Sequence, residues 1–311
     1  MKLGPDHPTT LETMSGLAKA YSAQSKYALA ESLNKQILDA RIRLLGSEHY
    51  DVTISMNSYA VSLDDQGKLS EAEAVYRQII ERMGDQTPVA ILSNFACVLD
   101  KESKLSEAEE LNRRILEVKI RTLGIDHDDT LLSMNNLGTN LDDQHKFDEA
   151  VTIYKQCIAI RKEKKGANHP DTLDTINNLA NTYRNQGKYD MAVDIYKEVL
   201  EVRKKVLGID HCSTLVTMSS LASAYDHQGS FRNARDTYKQ CLELRTKVLG
   251  PMHRETLLVM SRLANTYRDL GQYEEAIVTY KECIEKMNVV LGAQHKHTII
   301  TKRQFSRMYL P

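Results

Sequence analysis

The chain has 311 residues, with 41 basic and 42 acidic side chains and five cysteines. This charge balance removes the whole-chain electrostatic argument for binding nucleic acid or an anionic membrane. No apolar run approaches the roughly 20 residues of a membrane span, and the first residues do not have the pattern of a signal peptide. An odd cysteine count without C-x-x-C spacing favours thiols over disulfides or metal ligation. We therefore expect a cytoplasmic protein.

The sequence is organised by a repeat of 42 residues that a histidine marks in each copy. One copy, residues 171–208, shows apolar spacing typical of a helix twice, interrupted at Gly187 and ended at Gly208. A fixed period between 20 and 50 residues indicates a solenoid or another repeat array. Each copy is therefore predicted to be a helical hairpin, an A-helix followed by a B-helix. The marking histidines are His7, His49, His127, His169, His211, His253 and His295.

In chain order the predicted repeats are 9–46, 51–84, 87–124, 129–166, 171–208, 213–250, 255–292 and a partial one at 297–311. We predict that they form a single solenoid domain over residues 1–311, as a fragment of a larger protein. The second copy is six residues shorter than the others, and residues 81–86 stand where the other copies have the end of the B-helix and the loop. This difference predicts a shortened second B-helix. Each A-helix is predicted to begin after a side-chain oxygen that can cap it. The expected caps are Thr9, Asp51, Thr87, Asp129, Asp171 and Ser213.

The fifth copy carries a family resemblance. The pattern L-A-x-x-Y at residues 179–183, followed by G-x-Y-x-x-A-x-x-x-Y at residues 187–196, resembles the signature of the tetratricopeptide repeat (TPR). The 42-residue period and the L-G-x-x-H-P-x-T junction are similar to the repeats of kinesin light chains and of NB-ARC-type receptors. The resemblance implies an all-α, right-handed superhelical solenoid of about seven hairpins plus a terminal helix. It also implies a role in protein–protein recognition.

In such arrays the A-helices line a concave groove, and the resemblance implies which A-helix positions face it. These positions are polar here, although hairpin packing does not require polarity, and Asn amides both donate to and accept from a peptide backbone. The row is acidic in its first half and basic in its second. A peptide or protein ligand is therefore expected to place Lys or Arg at repeats two to four and a carboxylate at repeats five to seven. The predicted peptide-binding residues are Asn57, Asp64, Asp100, Asn135, Asp142, Asn177, Asn181, Arg184, Asn265 and Arg268.

No P-loop, G-x-G-x-x-G, H-E-x-x-H or G-x-S-x-G motif occurs, so neither catalysis nor a cofactor is predicted. One histidine per repeat cannot form a shared metal site, because packed helices hold equivalent residues about 8–10 Å apart. The histidines are instead expected to order the loops. Cys157, Cys241 and Cys283 share one repeat position and are predicted to be buried core residues.

The function predicted from these features is a non-enzymatic protein–protein interaction scaffold. Its context is that of a kinesin-light-chain-like adaptor or of a receptor sensor array. The alternative is a structural spacer or self-association module that oligomerises through its exposed repeat ends. Assembly that depends on concentration and ignores substitutions in the groove would favour this alternative.

Overall fold

The structure, a computed structural model, describes residues 4–309 and contains fifteen α-helices, two short 3-10 turns and no strand in that range. It divides into two compact units, Met1–Gln144 and His145–Pro311. Within each unit A- and B-helices alternate, and every helix packs against the next one along the chain. The predicted all-α repeat solenoid is therefore confirmed.

The first unit contains seven helices in its described residues. Its A-helices are α1 (Pro8–Ala23), α3 (Tyr50–Asp65), α5 (Val89–Lys101) and α7 (Asp128–Asp143). Its B-helices are α2 (Tyr27–Leu45), α4 (Leu69–Met83) and α6 (Leu105–Leu123).

The second unit contains eight helices up to residue 309. Its B-helices are α8 (Phe147–Lys165), α10 (Tyr189–Val206), α12 (Phe231–Leu249) and α14 (Tyr273–Val290). Its A-helices are α9 (Pro170–Asn185), α11 (Cys212–His227), α13 (Arg254–Asp269) and α15 (Lys296–Ser306). The last two residues of the predicted partial repeat, 310 and 311, lie outside the described residues.

In five of the seven described B-helices an alanine and a tyrosine one turn apart form the centre of the hairpin core, and in α2 and α6 an asparagine stands in place of the tyrosine. In α10 the alanine and the tyrosine are Ala192 and Tyr196, both fully buried. The small alanine leaves room for close helix packing, and the tyrosine ring supplies a large apolar surface beside it. The B-helix cysteines Cys157, Cys241 and Cys283 are also fully buried, which confirms their predicted place in the core.

The recurring histidine caps the A-helix that follows it. In the seven copies its Nδ1 accepts a hydrogen bond from the backbone N–H two residues later, at 3.2 Å from His169 to Asp171. The predicted role of the histidines in ordering the loops is confirmed. The helix begins directly after the histidine because the imidazole already satisfies this exposed N–H group. The prediction of the capping residues is therefore wrong by two positions for Thr9, Asp51, Asp129, Asp171 and Ser213.

In five hairpins a cation on the B-helix contacts the A-helix of the next hairpin. Arg203 on α10 is only 2% exposed. Its Nη1 donates to the Ser213 carbonyl oxygen at 2.8 Å and to the Thr217 hydroxyl at 2.6 Å, both on α11. These bonds fix the position of the A-helix that follows. The B-helix cations stand eight residues before a capping histidine and are Arg41, Lys119, Arg161, Arg203 and Arg245.

Two copies of the second unit depart from this arrangement. Val259 on α13 stands where Thr217 stands on α11, and it offers no hydroxyl. Arg245 pairs instead with the Glu255 carboxylate at 3.2 Å. In the next copy the cation is replaced by Met287, which is fully buried. The B-helix side chain thus stays buried in both copies while its contacts change.

The shortened second B-helix is confirmed. Helix α4 has 15 residues, against 19 in α2 and α6, and the 3-10 turn Gly84–Gln86 follows it directly. The Thr87 hydroxyl closes this turn by donating to the Gly84 carbonyl oxygen at 2.7 Å, so Thr87 does not cap α5. Helix α5 begins at Val89 and has 13 residues rather than the 16 of α3. The missing residues are therefore absorbed by both helices around the junction.

Candidate functional site

The predicted binding residues lie on A-helices, and A-helices are neighbours within each unit. Helix α3 contacts α5 in the first unit, and α9 contacts α11, α11 contacts α13 and α13 contacts α15 in the second. Side chains that reach from one A-helix to the next therefore decide which polar groups remain available to a ligand.

The acidic half of the predicted row is partly neutralised by a lysine. Lys101 Nζ lies 2.6 and 2.8 Å from the two carboxylate oxygens of Asp64. Only 17% of the Asp64 side chain is exposed, so water screens this ion pair weakly. Asp100 is exposed and accepts a hydrogen bond from the Asn140 amide at 2.7 Å. The first unit is therefore less acidic along this row than the sequence alone indicates.

Two further predicted residues of the first unit lie on α7. Asn135 and Asp142 are both half-buried there. The Asn135 carbonyl oxygen accepts a hydrogen bond from the Thr139 hydroxyl at 3.1 Å, within the same helix. The structure places both side chains on an A-helix, as the residue count from the TPR signature implies.

One predicted residue of the second unit is closed off by packing. Asn177 is 5% exposed, and its Oδ1 accepts a hydrogen bond from the Thr217 hydroxyl at 3.1 Å. This bond joins α9 to α11. The Asn177 side chain therefore lies between two A-helices rather than on their open face.

The two predicted arginines of the second unit are half-buried and differ in their pairing. Arg268 pairs with the Asp269 carboxylate at 2.8 Å. Arg184 donates to the Asn185 side-chain oxygen at 3.2 Å and has no carboxylate partner among residues 4–309. Burial raises the pKa of the nearby repeat position Asp226, which disfavours negative charge there. Arg184 is therefore the open cation of this row.

Three of the predicted binding asparagines have the same hydrogen-bonding pattern. The Oδ1 of Asn181 accepts from the Tyr196 hydroxyl at 2.5 Å, and the Oδ1 of Asn265 accepts from the Tyr280 hydroxyl. In the first unit the Oδ1 of Asn57 accepts from Asn94 at 3.1 Å. The Nδ2 groups of these three amides make no hydrogen bond within residues 4–309. Each amide therefore offers a donor, and its own acceptor is already used.

The first unit contains a cavity that the sequence does not predict. It has a volume of about 370 Å³ and lies among α1, α2 and α3. Lys19 and Arg41 line it, together with the predicted residue Asn57. The signal in the sequence is the pair of small side chains Ser15 and Ser55, where the equivalent pair on α9 and α11 is Asn177 and Thr217.

Other kinds of site find no support in the part of the chain that the structure describes. No group of three or more His, Cys, Asp or Glu side chains is placed to hold a metal ion among those residues. No helix among them is both long and apolar enough to cross a membrane.

Comparison with solved structures supports the fold. A tetratricopeptide repeat protein from Parabacteroides merdae is 14% identical with a TM-score of 0.68, covering 97% of this chain and 98% of that chain. BtubC (BKLC) from P. vanneervenii is 17% identical with a TM-score of 0.54, covering 77% and 92%. The apo form of RapI is 14% identical with a TM-score of 0.58, covering 96% and 86%. At these identities the likeness shows the fold alone.

Comparison with protein families identifies the repeat. One tetratricopeptide repeat model matches residues 89–163 and 171–247, and a second matches residues 10–51 and 256–297. Among curated proteins, none matches the sequence. Because the two models together cover well over half of the residues, the chain belongs to the tetratricopeptide repeat family.

Proposed function

We propose that the A-helix rows bind an extended segment of a partner protein through hydrogen bonds to its backbone. The observation that carries this proposal is the shared state of Asn57, Asn181 and Asn265. Each uses its carbonyl oxygen inside the protein and keeps its NH2 group open. Every peptide group offers a carbonyl oxygen, so these donors hold a chain whatever its side chains are. On this proposal the protein is a non-enzymatic interaction scaffold.

The buried tyrosines set the direction of the amides in the second unit. Tyr280 is fully buried, and burial raises its pKa to about 12. Its hydroxyl therefore stays protonated and donates to Asn265, which turns the Asn265 NH2 group away from the hairpin core. The buried Tyr196 hydroxyl likewise donates to Asn181 and sets the direction of its NH2 group. A donor whose direction is fixed beforehand loses less conformational entropy on binding.

Charge adds a preference for one ligand chemistry in the second unit. The Arg184 guanidinium has hydrogen-bond donors to spare, and guanidinium groups match carboxylates geometrically. We therefore infer that the ligand segment presents an acidic side chain to Arg184. The resemblance of the 42-residue repeats to those of kinesin light chains favours an adaptor in the cytoplasm as the wider context.

Panning a phage library of short random peptides against the chain tests this proposal. The variant Asn181→Ala/Asn265→Ala removes two open donors, and peptides enriched on the native chain should bind it about tenfold more weakly. Asn233→Ala, at an exposed position of helix α12, is the matched control and should leave binding unchanged. Tyr196→Phe should weaken binding by a smaller factor, because Asn181 loses its fixed direction.

Two outcomes would contradict the proposal. Equal enrichment of the same peptides on the double variant would show that the amides are not the contact. No enrichment on any variant, together with concentration-dependent sedimentation of the native chain, would favour the alternative of a spacer that self-associates through its repeat ends.

A further inference from the structure

The cavity in the first unit deepens the proposed function, on which this inference rests. Its volume of about 370 Å³ is at the lower end of the roughly 300–1,000 Å³ of small-ligand pockets. Asn57 lines it, and the open NH2 group of Asn57 is one of the proposed backbone donors. A peptide held by Asn57 would therefore pass directly over this cavity.

The cavity is open because two side chains are too short to close it. In the second unit Asn177 stands eight residues after a capping histidine and Thr217 six residues after the next one, and their hydrogen bond joins α9 to α11. The equivalent residues in α1 and α3 are Ser15 and Ser55. No hydrogen bond joins these two serines among the described residues of the first unit. The space that Asn177 and Thr217 fill elsewhere is therefore left empty here.

The open space exposes a cation whose equivalents on α8, α10 and α12 are buried. Arg41 is half-buried, whereas its equivalent Arg203 is 2% exposed. Arg41 Nη1 donates to the Asp51 carbonyl oxygen and to the Ser55 hydroxyl, at 3.3 and 2.9 Å. The other guanidinium N–H groups of Arg41 make no hydrogen bond within residues 4–309. They are therefore available to a group that enters the cavity.

The charges around the cavity favour an anion. Besides Arg41, the cavity is lined by Lys19, which is exposed and has no ion-pair partner in the described region. Asp65 is the one carboxylate in the lining, which leaves a formal charge of one positive unit. Ile37 and Ile54 supply apolar surface to the same wall.

We propose that this cavity receives one anionic side chain of the bound peptide, a carboxylate or a phosphate. The anionic group lies against Lys19 and Arg41, and its carbon stem lies against Ile37 and Ile54. Asn57 holds the peptide backbone at the same point. The subsite thus fixes which residue of the ligand lies over α1 and α3, because only an anionic residue is accommodated there.

An array of short peptides with one fixed central residue and randomised flanks tests this proposal. The central residue is Glu, phosphoserine, Gln, Ser or Lys, and the fluorescently labelled full chain is the probe. The native chain should bind peptides with a Glu or phosphoserine centre about tenfold better than those with a Gln or Ser centre. The ratio between the Glu and phosphoserine arms distinguishes a carboxylate ligand from a phosphate ligand.

Two variants test the cavity and leave Arg41 itself unchanged. Ser15→Asn/Ser55→Thr introduces the pair that closes the equivalent space between α9 and α11, and it should abolish the preference for anions. Lys19→Gln should reduce the preference several-fold, and Lys281→Gln, an exposed lysine on α14, should leave it unchanged.

The outcomes separate this proposal from the function on which it rests. If the native chain binds peptides with neutral centres equally well, or the closing pair leaves the preference intact, while Asn181→Ala/Asn265→Ala still weakens binding, the cavity proposal is overturned and the proposed function stands. If the native chain binds none of the peptides, both are overturned.

Discussion

A double-mutant cycle on Arg203 and Thr217 tests whether the B-helix cation holds consecutive repeats together. The two single changes are Arg203→Met and Thr217→Val. Each replacement residue already occurs at the equivalent position of another repeat, as Met287 and Val259, and these are buried at 0% and 2% exposure. Neither substitution therefore leaves a cavity, and the cycle measures the loss of hydrogen bonds rather than of packing.

The contacts give the expected size of the effect. Thr217→Val removes the 2.6 Å bond from the Arg203 guanidinium, and a bond with a charged partner contributes roughly 1.5–3 kcal/mol. It also removes the neutral bond to Asn177, which contributes about 1 kcal/mol. We expect Thr217→Val to destabilise the native chain by about 3 kcal/mol and the Arg203→Met background by about 1 kcal/mol. The expected coupling energy is therefore about 2 kcal/mol.

Urea unfolding of the four proteins, followed by circular dichroism, gives the coupling energy. Because repeat arrays can unfold in parts, amide hydrogen exchange in α11 should be measured in parallel to localise the change. Thr237→Val is the control partner for Arg203→Met, since the Thr237 hydroxyl bonds within its own helix α12. Additivity of Arg203→Met and Thr217→Val within about 0.5 kcal/mol would refute the reasoning, because it would mean that the two groups act independently.

Three further predictions concern acid stability, thiols and helix capping. A hydrogen bond from Lys104 holds the pKa of Glu73 at about 2, below its ordinary 4.5. The native chain should therefore be more stable than Glu73→Gln above pH 4.5, and this advantage should be lost as the pH falls toward 2; equal urea midpoints at neutral pH would contradict this. Iodoacetamide should label the exposed Cys97 and Cys212 of the folded chain and spare the three buried thiols, and mass spectrometry showing five labels would contradict the assigned core. His169→Ala should lower the urea-unfolding free energy by about 1 kcal/mol, whereas His169→Asn should not; equal losses in both variants would argue against capping.

The sequence predicts the hairpins well because their signal is local. Apolar side chains at helical spacing, a glycine at the A–B turn and six missing residues near Gly84 can each be recognised within one copy of the repeat. The capping residues, in contrast, are predicted wrongly. Asp171 is a better known capping residue than a histidine, yet the His169 imidazole accepts a hydrogen bond from the Asp171 N–H, which places Asp171 inside the helix. General capping preferences therefore placed the start of the helix two residues too late.

The state of the candidate site depends on contacts that no local pattern contains. Counting from the TPR signature identifies Asn177 and Asn181 as equivalent candidates. Asn177 is closed by Thr217, a residue 40 positions later, and Asn181 is directed by Tyr196 on another helix. The first-unit cavity is harder still to predict, since it arises from missing side-chain volume at Ser15 and Ser55. Such an absence becomes visible only when the helices are placed together.

The contacts of the B-helix cations make the two ends of the second unit unequal. Arg203 belongs to α10 and bonds to Asp174 on α9 within its own hairpin, but both bonds of its Nη1 are made to α11, on the carboxyl-terminal side of that hairpin. A truncation after Val206 would leave this guanidinium with Asp174 but without its two acceptors on α11, whereas a truncation after Val290 would leave Met287, which needs no acceptor. Shortening from the amino-terminal side removes each cation together with its own hairpin. Fraying should therefore be asymmetric, with hairpins that have lost their successor opening before hairpins that have lost their predecessor.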